Sequence, residues 1–133
     1  MITWRDTYNV GVRQIDDQHQ ELVHRLNDFM EACTNQKGKE KIQETLEFLK
    51  AYTVEHFRDE EKLMQSVQYP ELAVHKKEHD EFVHVIDELL QQVNSQGTSI
   101  LTTIKLNRTL VDWLINHIQK NDGKVGEYIK QHP

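Results

Sequence analysis

The chain has 133 residues, 37% of them hydrophobic, which is enough for one packed core and too short for two ordinary domains, so residues 1–133 are expected to form a single domain. Its formal net charge of −6, with Lys and Arg scattered among acids, excludes the clustered basic patch that a nucleic-acid or anionic-membrane partner requires. The single cysteine, Cys33, excludes an internal disulfide and a thiolate metal cluster, and the charged start Trp4-Arg5-Asp6 with no long apolar run predicts a cytoplasmic chain that neither spans nor inserts into a membrane.

Five glycines and two prolines are sparse punctuation, and apolar residues recur every third or fourth position, so the class is all-α. After an N-terminal arm, a first helix is expected to open with Asp16 as its N-cap and to carry Leu22, Val23, Leu26, Phe29 and Met30, with Cys33 as buried filler, up to the polar Asn35-Gln36-Lys37-Gly38. A second helix holds Ile42, Leu46, Leu49, Tyr52, Thr53 and His56 and continues to Leu63 and Met64. It must stop before Tyr69-Pro70, because a residue preceding proline avoids helical angles. Pro70 suits the first turn of a third helix, which runs through Leu72, His75, His79, Phe82, Val83, Ile86, Leu89 and Leu90 to Asn94-Ser95-Gln96-Gly97. Thr98 is the expected cap of a fourth, with Leu106, Leu110, Trp113, Leu114, His117 and Ile118; Asn121-Asp122-Gly123 reads as its stop, and Val125, Tyr128 and Ile129 as a short closing helix. Four long helices joined by short links predict an up-down-up-down four-helix bundle.

Chemistry follows from asking which polar residues share the apolar stripes, since positions three, four, seven and eleven apart stack on one helix face. His19 lies in line with Leu22, Val23 and Leu26, and His56 with Glu60 lies in line with Leu49, Tyr52 and Leu63. His75 and His79 share the stripe of Phe82, Val83 and Ile86; His117 shares that of Leu110, Trp113 and Leu114. One histidine on such a face is ordinarily a hydrogen-bonded core residue. Five in one small core would each need a separate buried partner, at roughly 1–3 kcal/mol apiece if unmet, whereas a shared metal centre satisfies all of them. His24 and His84 fall well around the helix from these stripes and His132 is terminal, so these three are assigned to solvent.

Imidazole and carboxylate without thiolate suit iron, zinc or copper rather than calcium or magnesium. Seven ligands, His19, His56, Glu60, His75, His79, His117 and Asp122, exceed one tetrahedral ion and fit two, with Glu60 and Asp122 as bridges. Two ferrous ions bring four positive charges, which two carboxylates and a bridging hydroxide reduce to one, a load that a buried site tolerates better. The ferritin-like alternative needs Glu-x-x-His pairs; Glu21-Leu22-Val23-His24 and Glu81-Phe82-Val83-His84 have that spacing but face away from the stripes.

Ile15-Asp16-Asp17-Gln18-His19, His56-Phe57-Arg58-Asp59-Glu60-Glu61, His75-Lys76-Lys77-Glu78-His79 and Trp113-Leu114-Ile115-Asn116-His117-Ile118 followed by Asp122 resemble the hemerythrin signature. With Trp4 and Tyr8-Asn9-Val10-Gly11-Val12 included, the resemblance covers nearly the whole chain and is similar to that of the single-domain bacteriohemerythrins. It implies an oxo- or hydroxo-bridged pair of non-haem irons, one held by His75, His79 and His117, the other by His19 and His56, with Glu60 and Asp122 bridging. It further implies reversible dioxygen binding where the second iron is one ligand short, in a pocket formed by Leu22, Phe57, Trp113, Leu114 and Ile118 that keeps water out. The expected role is an oxygen carrier, store or donor to an oxygen-consuming enzyme, non-enzymatic and monomeric. A redox or peroxide-consuming di-iron enzyme, an oxygen sensor, and an iron store or structural metal bundle are the alternatives. Asp122 lies five residues after His117, about 140° away on a regular helix, so an i→i+5 widening is predicted between them.

Overall fold

The computed structural model describes residues 2–35, 38–96 and 100–132, and side chains over the same residues apart from 95–107. Among the described residues, five α-helices follow a 3-10 turn at Asp6–Tyr8: α1 (Arg13–Thr34), α2 (Lys39–Ser66), α3 (Leu72–Gln96), α4 (Ile100–Asn116) and α5 (Gly123–Gln131). Between α4 and α5 the chain forms a π-helical segment, His117–Asp122. Among the described residues there is no strand, and no helix is long and apolar enough to cross a membrane.

The apolar period dictates the packing. Each stripe turns inward, so α1 packs on α2, α2 on α3, and α4 closes the square against both α1 and α3, giving the four-helix bundle. The stripes meet in one core that includes Leu22, Leu26 and Phe29 of α1, Leu46, Leu49 and Phe57 of α2, Phe82, Ile86 and Leu89 of α3, and Leu110 and Leu114 of α4. Each such side chain contributes roughly 1.5–3 kcal/mol when fully buried, so the interior can accommodate a set of polar groups at one end. Met64, Tyr69 and Val125 form a second, smaller cluster with Val67, Leu72, Tyr128 and Ile129, by which α5 and the α2–α3 turn close that end.

Several boundaries differ from the sequence expectation for local reasons. α1 starts at Arg13, ahead of Asp16, and Val12 at the N-cap offers no side-chain acceptor. Asp16 instead turns its carboxylate back from the first turn to accept the Val10 and Gly11 amides at 2.7 and 3.2 Å, anchoring the arm rather than capping the helix. α3 begins at Leu72, two residues after Pro70, its first backbone bonds running from Leu72 N to Tyr69 O and from His75 N to Glu71 O. The expected cap Thr98 and the side chain of Leu106 lie outside the described residues. Asn121-Asp122-Gly123 is no stop: Gly123 has φ −58° and ψ −40°, right-handed helical values, and the chain passes through it into α5. Cys33 is half-buried at the edge of the core rather than enclosed in it.

The arm is strapped along α1, where Asn27 accepts the Ile2 amide and donates to the Ile2 carbonyl, both at 2.9 Å. Farther on it crosses α5 at Gly126, where a Cβ would collide with the Val10 carbonyl. That close approach is why a glycine stands in the middle of a helix, where it otherwise costs stability.

Candidate metal centre

Four elements each deliver part of one buried constellation. His19 comes from α1, His56 and Glu60 from successive turns of α2, His75 and His79 from successive turns of α3, and His117 and Asp122 from the two ends of the π-helical segment. All seven are between 0 and 4% exposed. The widened turn is what brings Asp122 inward, since a regular helix would rotate it away from His117.

Their ligand atoms fall into two overlapping groups. Glu60, His75, His79, His117 and Asp122 form one, and His19, His56, Glu60 and Asp122 the other, with all atoms in a group within 4.8 Å of one another. Glu60 and Asp122 belong to both. His75 Nε2 lies 2.7 Å from Glu60 Oε1 and 2.8 Å from Asp122 Oδ1, and His19 Nε2 lies 2.9 Å from Asp122 Oδ2. His56 Nε2 is 3.2 Å from Glu60 Oε2, and His117 Nε2 is 3.2 Å from Asp122 Oδ1.

Close as they are, most of these atoms do not hydrogen-bond to one another. The Nε2 atoms of His19, His56, His75 and His117, Oε2 of Glu60 and both oxygens of Asp122 have no hydrogen-bond partner. Buried polar atoms are ordinarily satisfied, and each orphan costs on the order of 1–3 kcal/mol. Orphans aimed past one another at two shared points are what a pair of cations would satisfy. The nitrogen and oxygen donors, without sulfur, fit first-row transition metals.

Electrostatics in the metal-free protein point the same way. Burial opposes a proton on His19 and His75, but contacts with Asp122 and Glu60 override it and push them up to about 9 and about 10. His56 is lowered by burial, which Glu60 only partly offsets. Burial and the Glu60 charge would raise Asp122, yet His117 and His19 bring it down to about 2. Glu60 is held well below the carboxylate range, against burial, by His19, His56, His75 and His79. Two carboxylates thus stay ionised in a dry interior and recruit positive charge.

The family model of the hemerythrin HHE cation binding domain matches residues 10–129. The chain belongs to the hemerythrin family. It is 31% identical over 132 residues to a bacteriohemerythrin of Stenotrophomonas maltophilia (strain R551-3), covering 99% of this chain and 84% of that one. It is 32% identical over 123 residues to a myohemerythrin of Theromyzon tessulatum, covering 91% and 88%. A wild-type hemerythrin crystal structure superposes with a TM-score of 0.86 at 30% identity, covering 96% of each chain.

Around the hemerythrin cluster, three histidines have an acceptor at the outer ring nitrogen. His56 Nδ1 faces Gln18 Oε1 at 2.7 Å, and Gln18 Nε2 donates in turn to Asp59 Oδ2 at 2.9 Å. His79 Nδ1 faces Glu61 Oε2 at 2.8 Å, and His117 Nδ1 faces Glu78 Oε2 at 3.2 Å. An acceptor there keeps the proton on Nδ1 and leaves Nε2 its lone pair toward the interior. Glu78 Oε2 also accepts from Asn121 Nδ2, so one carboxylate of α3 ties together two residues of the π-helical segment. Sequence reasoning assigned no role to Gln18, Asp59, Glu61 or Glu78, and gave Asn121 only a part in a helix stop. The available signal was adjacency: Gln18, Glu61 and Glu78 directly flank His19, Glu60 and His79 in the chain.

The apolar residues expected beside the site lie in or against the core, and two of them, Phe57 and Trp113, stack on its histidines. Leu22, Phe57, Leu114 and Ile118 are buried in the main core, and Trp113 is half-buried against it. Phe57 stacks on His79 with centroids 3.8 Å apart and planes 4° apart, and Trp113 stacks on His117 at 4.6 Å and 15°. His24 and His84 are exposed, with side chains 67% and 73% accessible, and His132 is exposed as well.

Proposed function

We propose that this single-domain, cytoplasmic, monomeric chain holds two iron ions and binds dioxygen reversibly, as a carrier, a store or a donor to an oxygen-consuming enzyme, without being an enzyme itself. His75, His79 and His117 would hold one ion, His19 and His56 the other, and Glu60 and Asp122 both. The supporting observation is the pair of overlapping donor groups sharing two carboxylates, with one histidine fewer in the second. Bound iron supplies the redox-active, oxygen-binding chemistry that side chains lack.

The chain's own residues supply the rest. Glu60 and Asp122 offset half of the four positive charges of two ferrous ions, which lowers the cost of burying them. Gln18, Glu61 and Glu78 fix the tautomers of His56, His79 and His117, so that donor orientation is set before any ion arrives. Leu22, Phe57, Leu114, Ile118 and Trp113 keep water from the open side of the second group; without bulk water no proton is at hand to turn reversible binding into irreversible oxidation.

Visible absorption of anaerobically iron-loaded protein tests this reading. A colourless ferrous form should gain a charge-transfer band on exposure to oxygen and lose it on purging with inert gas. Irreversible conversion to ferric protein would favour the redox-enzyme alternative, and no band at all would leave only a structural or storage role for the metal.

A further inference from the structure

A sealed bundle must still admit its metal, and the seven residues differ in how they meet the surface. His75 is 4% exposed, the highest of the set, and it lines a cavity of about 70 Å³ with Tyr69, Glu71, Val74, Glu78, Asn121 and Lys124. This volume holds a few ordered waters, enough for a partly hydrated cation. The cavity opens where the α2–α3 turn, the first turns of α3 and the start of α5 meet. Its rim carries Glu71, exposed and reached by the Tyr69 hydroxyl at 3.3 Å, together with the exposed Lys124. Deeper, Glu78 joins the rim to His117. His75 Nε2 is buried on the interior side, 2.7 Å from Glu60 Oε1 and 2.8 Å from Asp122 Oδ1.

A second cleft, of about 470 Å³ between α2 and α3, also reaches the cluster, at His79. There the way is blocked. Phe57 covers the His79 ring face, and both ring nitrogens are engaged, Nδ1 with Glu61 and Nε2 with Glu60 at 3.1 Å. Of these two clefts, the His75 cavity ends on a ring that Tyr69 meets edge-on rather than covers, with Nε2 turned inward to Glu60 and Asp122 at 2.7 and 2.8 Å.

We propose, on the basis of the di-iron reading above, that the Glu71–Glu78–His75 cavity is the path by which divalent cations load the centre. Glu71 is the outer acceptor that gathers the hydrated ion, Glu78 and Asn121 line its passage, and the His75 ring stands at its inner end. Lys124, on the same rim, opposes cations and sets the rate at which they pass. Glu71 and Lys124 therefore act on loading in opposite directions, while the fully loaded state is the same.

The test mixes metal-free protein with cobalt(II) anaerobically in a stopped-flow spectrometer, following the visible band of the bound ion, and then measures ions bound per chain. Glu71→Gln should slow uptake about three- to ten-fold and Lys124→Gln should speed it by a similar factor at low ionic strength, with both differences shrinking in high salt. Both variants should still reach two ions per chain. Asp80→Asn, on the α2–α3 cleft, should load at the parent rate. Slowing by Asp80→Asn with no effect of Glu71→Gln would overturn the proposal in favour of the other cleft, and identical rates in all variants would overturn it in favour of loading through opening of the bundle. Failure of the parent itself to bind two ions would instead overturn the ligand assignment beneath it.

Discussion

Three of the buried histidines, His56, His79 and His117, depend on two sets of neighbours, the donors beside them inside the bundle and the acceptor behind them. His56 shows both, with Glu60 Oε2 3.2 Å from Nε2 and Gln18 at Nδ1. His56→Ala should therefore cut bound iron from two ions per chain to about one, measured by elemental analysis after desalting; retention of two would remove His56 from the ligand set. Leu114 tests the opposite kind of contribution, because it is 1% exposed and touches the core rather than offering a donor. Leu114→Asn should keep both ions, lose roughly 2–4 kcal/mol of stability and oxidise in air several-fold faster than the parent, because a buried amide brings water with it. Equal lifetimes of the oxygenated forms would show that dryness at this position is not what preserves them. The buried donors were legible in the sequence because an imidazole on a leucine stripe is conspicuous. Glu78, Glu61 and Gln18 were not, since a carboxylate or amide on a helix flank looks solvated until the neighbouring helix is known.

At the scale of elements, the π-helical segment decides whether the donor set closes. The helical period alone exposes the problem, since the five-residue step from His117 to Asp122 overshoots one turn by about 140°. It does not reveal that the chain continues into α5 without a break, because Asn-Asp-Gly has the chemistry of a helix stop while Gly123 adopts ordinary right-handed angles. Deleting Gln119 should convert the segment into regular helix and place Asp122 four residues from His117 by number. Asp122 and the residues beyond it, including Val125 and Gly126, which pack on the second cluster and the arm, would keep nearly their present facing, because the widened turn takes one residue more than a regular turn for about the same rotation. The expected result is retained helicity by circular dichroism with both ions still held; loss of an ion would show that the widened turn itself, and not only the facing of Asp122, is needed. The same join predicts that Gly126→Ala, although favourable in an isolated helix, destabilises the protein by at least about 1 kcal/mol in denaturant unfolding, since its methyl meets the Val10 backbone rather than a flexible side chain. A rise in stability would mean that the arm yields without cost.

Over the whole molecule, a well-packed bundle carries an interior polar set that destabilises it unless something positive sits there. In the metal-free protein, protons do part of that work: His19 is raised to about 9 and His75 to about 10 by Asp122 and Glu60. A histidine raised in this way contributes stability that is complete below its unfolded value near 6.5 and is lost as pH climbs through 9 to 10. Asp122, lowered to about 2, contributes stability that is present above its ordinary 3.8 and is lost only as pH falls toward 2. His56, lowered by burial, adds a penalty below neutrality, where it would have to charge in a dry site. The metal-free protein should therefore be most resistant to denaturant near pH 6.5, weaken progressively between about 6.5 and 10, and level off above that. Metal ions replace those protons, so loading at pH 7.5 should release about two protons per chain, and the alkaline loss should vanish in the loaded protein over the same range. Denaturant midpoints measured across that range for both forms decide the matter. Parallel curves would mean that the protons on His19 and His75 do not stand in for the metal, and that the bundle tolerates its polar interior by other means.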